Sequence, residues 1–178
     1  MEMNFCRRCG KPLTKAAKHM YKCADGHTIF PNSSPTVGVF FVTPDNHVLL
    51  SVRGIEPHKG MLDAVGGFLD GEESLEDAAR REIREEVQLE PDQYEPFRYL
   101  TSCYETYPYQ GESLPIASAM YWTRLKGDAQ LQPSDDVLEI KSVPLYEVDM
   151  AALHADDIRA GIRELQRLFQ SNEIKEKR

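Results

Sequence analysis

Residues 66–89, "GGFLDGEESLEDAARREIREEVQL", restrict this chain more than any other stretch: a glycine pair, a short polar loop, then a helix-forming run rich in glutamate. At about 100° per residue, Glu82, Glu85 and Glu86 stand at i, i+3 and i+4 and share one face. A glutamate pair at i, i+4 costs about 0.2–0.5 kcal/mol in an isolated helix. Glu82 and Glu86 therefore oppose the helix unless a cation sits between them or salt-bridge partners surround them. Two readings follow, a metal site and a solvated charged face. The helix itself is well specified: Ser74 with Asp77 three residues on makes a capping-box-like start, and Leu75, Ala79, Ile83 and Val87 form one apolar stripe. "LDAVGG" before it reads as a short strand, so the order is strand, tight turn, loop, helix.

A chain of 178 residues holds one domain with a full core and a small appendage. With 41% hydrophobic and 28% charged residues a packed core is expected and general disorder is not. No apolar run approaches the roughly 18 residues of a membrane span, and "MEMNFCRR" has no apolar stretch of signal-peptide length. The expected setting is the cytoplasm, with no membrane partner. The net charge of −8 argues against broad nucleic-acid binding, but it is uneven: residues 1–33 carry six basic side chains against two acidic ones, a net of +4, leaving −12 for the rest. This asymmetry marks a separate first module.

That module also holds Cys6 and Cys9 in "FCRRCGKPL" and Cys23 and His27 in "YKCADGHTIF". Three thiolates and one imidazole make a complete tetrahedral zinc set, and a cytosolic chain would not be expected to lock them as disulfides. Unbound thiols and redox chemistry are the rival readings; a thioredoxin-like use lacks the preceding strand and the following helix. "PNSSP" then reads as a linker. Beyond it, "TVGVFFVT" and "HVLLSVR" form a hairpin, and "FRYLTSCYETY", "IASAMYWTRL" and "VLEIKSVPLYEV" three further strands. A final helix is expected over 156–170, with Ile158, Ile162, Leu165 and Phe169 on one side, and the end "NEIKEKR" is expected to fray. The organisation expected is a zinc-ribbon-like module at 1–33, a main domain at 34–155 and a C-terminal helix at 156–178 packing on it.

Oxygen donors at the density of the glutamate run suit Mg2+ or Mn2+, ions that work where a substrate brings phosphate oxygens. The segment 67–89 resembles the Nudix box, Gly-x5-Glu-x7-Arg-Glu-U-x-Glu-Glu-x-Gly-U, U being a bulky aliphatic residue. Gly67, Glu73, Arg81, Glu82, Ile83, Glu85, Glu86 and Leu89 fall on its fixed positions, and Gln88 stands where the pattern has glycine. The resemblance implies an α/β fold, an α/β/α sandwich around a mixed sheet. It implies hydrolysis of a diphosphate linkage in a nucleoside diphosphate derivative, a dinucleotide or ADP-ribose being examples, with Mg2+ or Mn2+.

Carried over residue by residue, Glu82, Glu85 and Glu86 are the metal ligands, and one of them is also the general base. Glu73 and Arg81 organise the helix, and Gly66 lends a carbonyl. Asp136 in "PSDDVLEI" is the favoured additional carboxylate, with Glu105 and Glu112 as rivals. A zinc-ribbon-like module ahead of such a domain is similar to the NADH pyrophosphatase branch, but "YETYPYQGESLPI" stands where that branch has Ser-Gln-Pro-Trp-Pro-Phe-Pro. Tyr104, Tyr107 and Tyr109 are candidates for stacking on a base, and Arg53 and His58 for touching phosphate. Two alternatives stand beside the hydrolase: a catalytically silent nucleotide sensor, and a hydrolase of nucleic-acid 5′ caps guided by the basic module. A homodimer is compatible with the hydrophobic final helix.

Overall fold

The structure, a computed structural model, describes residues 3–109 and 111–176, with side chains described as far as 171. The chain divides into two compact units, Met1–Ser34 with Thr106–Ile116, and Pro35–Glu105 with Ala117–Arg178.

The first unit contains an antiparallel sheet of β1 (Leu13–Ala17), β2 (Met20–Cys23) and β3 (Thr28–Ile29), with Leu13 opposite Cys23 and Tyr21 opposite Ile29. Its interior is Cys6, Cys23 and Ile29, with Met3, Cys9 and Leu13 packed against them. So little apolar burial does not offset the entropy of ordering the segment.

The main sheet is built from β4 (Ser34–Val42), β5 (His47–Arg53), β6 (Leu62–Asp63), β7 (Val65–Phe68), β8 (Arg98–Tyr109), β9 (Glu112–Thr123) and β10 (Val137–Pro144). Helix α1 (Leu75–Val87) follows β7, and α2 (Asp156–Glu176) closes the chain. The strand order is β10-β5-β4-β9-β8. β4 and β5 pair at Phe41 with Leu49 and Val42 with Val48. Farther along they part: β4 pairs with β7 from Val39–Val65 to Thr36–Phe68, and β5 pairs with β6 at Ser51–Asp63 and Val52–Leu62. Ala64 is the residue at which the chain changes from one ladder to the other.

Alternation along the central strands makes two cores. Val37, Val39 and Phe41 of β4, with Ala119 and Tyr121 of β9, pack with Ala78, Ala79, Ile83 and Val87 of α1. Their neighbours Phe40 and Val42, with Met120 and Trp122, pack with Ile158, Ile162, Leu165 and Phe169 of α2. A period of two on the strands and of about 3.6 on the helices thus yields the expected α/β layering. Gly161 lets α2 approach closely, for a Cβ there would lie 2.4 Å from the Phe40 ring.

Two elements differ from expectation. "VLEIKSVPLYEV" is strand only to Pro144, after which Leu145–Glu147 is a 3-10 turn, because proline brings no N–H to the ladder. Helix α2 runs past residue 170 to Glu176. Of the end expected to fray, 172–178, residues 172–176 are helical in backbone and residues 177–178 lie outside the described residues. Among the described residues, no helix is long and apolar enough to cross a membrane.

Candidate active site and metal centres

Helix α1 begins as its sequence demands: the Ser74 hydroxyl oxygen accepts the Asp77 N–H at 3.2 Å and donates to the Asp77 carboxylate at 2.6 Å. Burying the stripe of Ala78, Ala79, Ile83 and Val87 carries the bordering glutamates inward to different depths. Glu86 is 8% exposed, whereas the Glu82 side chain is 12% and the Glu85 side chain 48% exposed. A carboxylate as deep as Glu86 is not part of a solvated face.

Glu86 Oε2 accepts the Gly66 N–H at 3.1 Å. Burial, then the charges of Asp63, Asp136 and Glu82, hold its carboxyl well above the usual carboxylate range, against that one hydrogen bond. Glu82 is also raised, by burial first, and Arg81 only partly compensates. The glycines are required by close approach. At Gly66, with φ 153°, a Cβ would lie 2.1 Å from the Val37 carbonyl oxygen; at Gly67 it would lie 2.5 Å from Glu82 Oε1.

Arg81 binds the rest together. Its Nε and Nη2 donate to the two oxygens of Glu73 at 2.8 and 3.1 Å, and Nη2 also to the Phe68 carbonyl at 2.9 Å. Nη1 donates to Glu82 at 2.9 Å and Glu85 at 3.0 Å. Glu73 is accordingly held below the usual range, mainly by its hydrogen bonds from Arg81, and Arg81 is raised further, chiefly by Glu73.

Asp136 comes close enough to raise both Glu82 and Glu86. Of its rivals, Glu105 Oε2 accepts the backbone N–H groups of Asp156 and Asp157 at 2.9 and 3.3 Å, capping α2, and Glu112 belongs to the first unit. Arg53 is engaged with the Asp63 carboxylate at 2.7 Å and the Pro57 carbonyl at 3.1 Å, and the His58 ring lies 5.8 Å from that of His154. Tyr104 and Tyr109 are exposed and Tyr107 half-buried. Gln88, at the glycine position of the pattern, adopts φ 56° and ends α1 with its N–H on the Arg84 carbonyl. The left-handed turn survives without the glycine.

Sequence reasoning passed over Asp63 and His154. A signal for Asp63 was present, an acidic residue three positions before Gly66 at the start of the glycine strand. His154, ninety-one residues from Asp63, gave none.

This set suits a hard divalent cation: Glu82, Glu86 and Asp136 are oxygen donors of one sign, and the hydrogen bond Glu86 accepts from Gly66 does not offset its burial. The second centre is tighter. The Cys6 Sγ lies 3.7 Å from His27 Nδ1, the Cys9 Sγ 3.7 Å from the Cys23 Sγ, and the four ligand atoms all lie within 4.8 Å of one another. A tetrahedron with metal–sulfur bonds of about 2.3 Å has edges of about 3.8 Å, so these separations fit zinc and exclude a disulfide. Gly10 and Gly26, at φ 71° and 77°, turn the chain after each cysteine, their N–H groups meeting the carbonyls of Cys6 and Cys23. Burial opposes the Cys6 thiolate, but the N–H groups of Arg8 and Cys9 and the side chains of Cys9 and His27 outweigh it and bring the thiol down to about 6.

Among known proteins, the human mitochondrial NAD(P)H pyrophosphatase NUDT13 is 35% identical over 154 residues, 86% of this chain and 39% of that protein. The NAD-capped RNA hydrolase NudC of Pseudomonas syringae pv. tomato is 37% identical over 90 residues, 49% of this chain and 32% of that protein. The chain therefore spans well under half the length of these curated relatives. In structure it resembles a NUDIX hydrolase from Nitrosomonas europaea, with TM-score 0.66 and 21% identity over 96% of this chain and 93% of that one. It also resembles the NUDIX domain of Shewanella oneidensis NrtR complexed with ADP ribose, with TM-score 0.61 and 22% identity over 79% and 90%. These likenesses establish the fold. The NUDIX domain family itself matches residues 32–165, well over half of the chain, and with the box spacing from Gly67 to Leu89 this shows that the chain belongs to the Nudix family.

Proposed function

We propose that the protein is a metal-dependent pyrophosphohydrolase that cleaves the diphosphate linkage of a nucleoside diphosphate derivative, in the dinucleotide or ADP-ribose class. The observation that carries this reading is the burial of Glu86 beside Glu82 and Asp136, a concentration of negative charge that a divalent cation would relieve. Glu82, Glu85 and Glu86 would hold Mg2+ or Mn2+ with Asp136 and the Gly66 carbonyl. Such an ion neutralises a diphosphate and lowers the pKa of bound water.

The chain's own residues do the rest. Arg81, fixed by Glu73 and Phe68, sets the carboxylates of Glu82 and Glu85 on one side of α1. Glu86 is held at the glycine turn by the Gly66 N–H. A carboxylate of this set takes the proton of the attacking water as one P–O bond forms and the bridging P–O bond breaks, leaving two phosphate monoesters. The first unit would be held by structural zinc on Cys6, Cys9, Cys23 and His27.

The likeness to an NAD(P)H pyrophosphatase and an NAD-capped RNA hydrolase supports a nicotinamide-containing dinucleotide as the substrate to try first. A reducing compartment such as the cytoplasm is the proposed setting, since it would keep all four cysteines as the free thiols that zinc binding at Cys6, Cys9 and Cys23 requires. A second reading, action on an RNA 5′ end, is favoured by one observation, the net +4 of residues 1–33. Incubating the protein with NADH, ADP-ribose, nucleotide sugars, coenzyme A, nucleoside triphosphates and NAD-capped RNA, with Mg2+ or Mn2+, tests both. The proposal expects metal-dependent release of two monophosphates from at least one diphosphate. No turnover of any of them with either ion would refute it.

A further inference from the structure

The glycine turn sits where β7 leaves the β5–β6 ladder for that of β4, and at this fork backbone pairing is replaced by side chains. The Ala64 N–H is taken by Asp63 Oδ1 at 2.8 Å, and the Ala64 carbonyl accepts the Ser51 hydroxyl at 3.4 Å. Asp63 is itself gripped from two directions. Its Oδ2 receives Arg53 Nη1 from β5 at 2.7 Å, and His154 Nε2, from the segment leading into α2, lies 3.0 Å from the same oxygen. All three side chains are nearly enclosed, 13% exposed for Arg53 and Asp63 and 9% for His154. His154 is held there by backbone: Leu153 bridges to Leu62 in parallel, and the His154 N–H donates to the Leu62 carbonyl at 3.1 Å. Among the described residues, the charged or titratable groups around the imidazole include Asp63, Arg53, His58, Glu105 and Asp157.

Two residues, Ala64 and Val65, separate Asp63 from Gly66, whose N–H holds Glu86. We propose that Asp63, clamped by Arg53 and His154, is a positioning residue for the metal-binding Glu86, tying the backbone that orients this ligand to the segment entering the C-terminal helix. The proposal rests on the reading of Glu86 as a metal ligand. A clamp that merely held the fold together would contribute stability; a positioning clamp sets metal affinity through the place of the Gly66 N–H. Partners of this kind, one step behind a ligand, typically change metal affinity about 10–100-fold when removed.

Four variants of the zinc-loaded full chain separate the possibilities. His154→Ala removes the nitrogen that lies against Asp63; His154→Gln restores one, since a glutamine amide nitrogen reaches about as far as imidazole Nε2. Asp63→Asn keeps the volume but sets its amide nitrogen either against the Ala64 N–H or against Arg53 and His154, so one side of the clamp loses its acceptor. Gln166→Ala removes an α2 hydrogen bond to the Leu145 carbonyl, 2.8 Å long and away from the clamp, and serves as the stability control. Mn2+ is titrated into each by electron paramagnetic resonance of the free ion, beside a thermal melt, with Glu86→Gln identifying the site.

The expected result is Mn2+ affinity lowered at least about tenfold in His154→Ala and Asp63→Asn, near wild type in His154→Gln, and unchanged in Gln166→Ala at a comparable loss of thermal stability. If folded His154→Ala and Asp63→Asn bind Mn2+ as the wild type does, the inference is overturned while the metal reading stands. Loss of affinity in Gln166→Ala in step with its melting temperature would overturn it equally, as a stability effect. If the wild type shows no Mn2+ binding that Glu86→Gln abolishes, the metal reading itself fails and takes the inference with it.

Discussion

Replacing Arg81 with lysine keeps the charge and removes the fork. In the native structure five donations leave the guanidinium: two to Glu73, one each to Glu82 and Glu85, and one to the Phe68 carbonyl. An ammonium has three protons on one atom. It cannot span these acceptors together, so two to three hydrogen bonds are lost. Each would contribute about 1.5–3 kcal/mol with a charged partner in full burial. Arg81 and Glu73 are about one-fifth exposed, so solvent screening brings the figure to about 1 kcal/mol apiece. The expected destabilisation is about 2–3 kcal/mol, a fall in melting temperature of roughly 4–12 °C for a chain of this size. Turnover at saturating Mn2+ should fall about 10–100-fold, because Glu82 and Glu85 are no longer held at a fixed place on α1. A thermal melt and a dinucleotide hydrolysis assay give both values. Wild-type turnover in a folded Arg81→Lys variant would refute the organising role, and an unchanged melting temperature would reduce the network to an ordinary surface ion pair.

Three other perturbations have definite signs. The folded-state pKa of Glu86 is raised, so its contribution to metal-free stability is full below the unfolded value of about 4.3 and is lost as pH rises through the folded value. Glu86→Gln should therefore melt higher than metal-free wild type, by a margin that grows with pH across that interval, while hydrolysis falls by orders of magnitude; equal melting at every pH would contradict the burial argument. Extensively dialysed protein should contain close to one zinc per chain by elemental analysis, and chelation should unfold residues 1–34 without abolishing Mn2+ binding at α1. Gln88→Gly relieves a left-handed side chain at φ 56° and should raise stability by about 0.5–1 kcal/mol in a thermal melt, a decrease being the contrary result.

What could be read from the residues alone was local. Helix α1 declared itself through the Ser74 cap and the spacing of Leu75, Ala79, Ile83 and Val87, all interactions within a turn or two. The zinc set was legible because its two halves lie on short turns that fix their own geometry. Strand β1 was not: "LTKAA" is almost wholly exposed and carries no alternation, since its pairing with β2 is what makes it a strand. The fork at Ala64 was hidden for a similar reason, as nothing in "LDAVGG" says that its two ends pair with different strands. Asp63 and His154 meet only because Leu153 is buried against Leu62, a contact between segments far apart in the chain.

Strand β4 is a wall shared by two rooms. Successive residues from Val37 to Val42 are buried on alternate sides, and only one strand's thickness separates the layer under α2 from the layer under α1. A larger or smaller residue at Phe40 is therefore felt at Val39 and Phe41 through the backbone they share, and from there by Ile83 and the glutamates beside it. In a drifting lineage the two layers must change in step. A variant library that repacks residues facing α2 while holding α1 fixed should yield folded proteins whose catalytic efficiency scatters widely, although no altered side chain comes near the carboxylates.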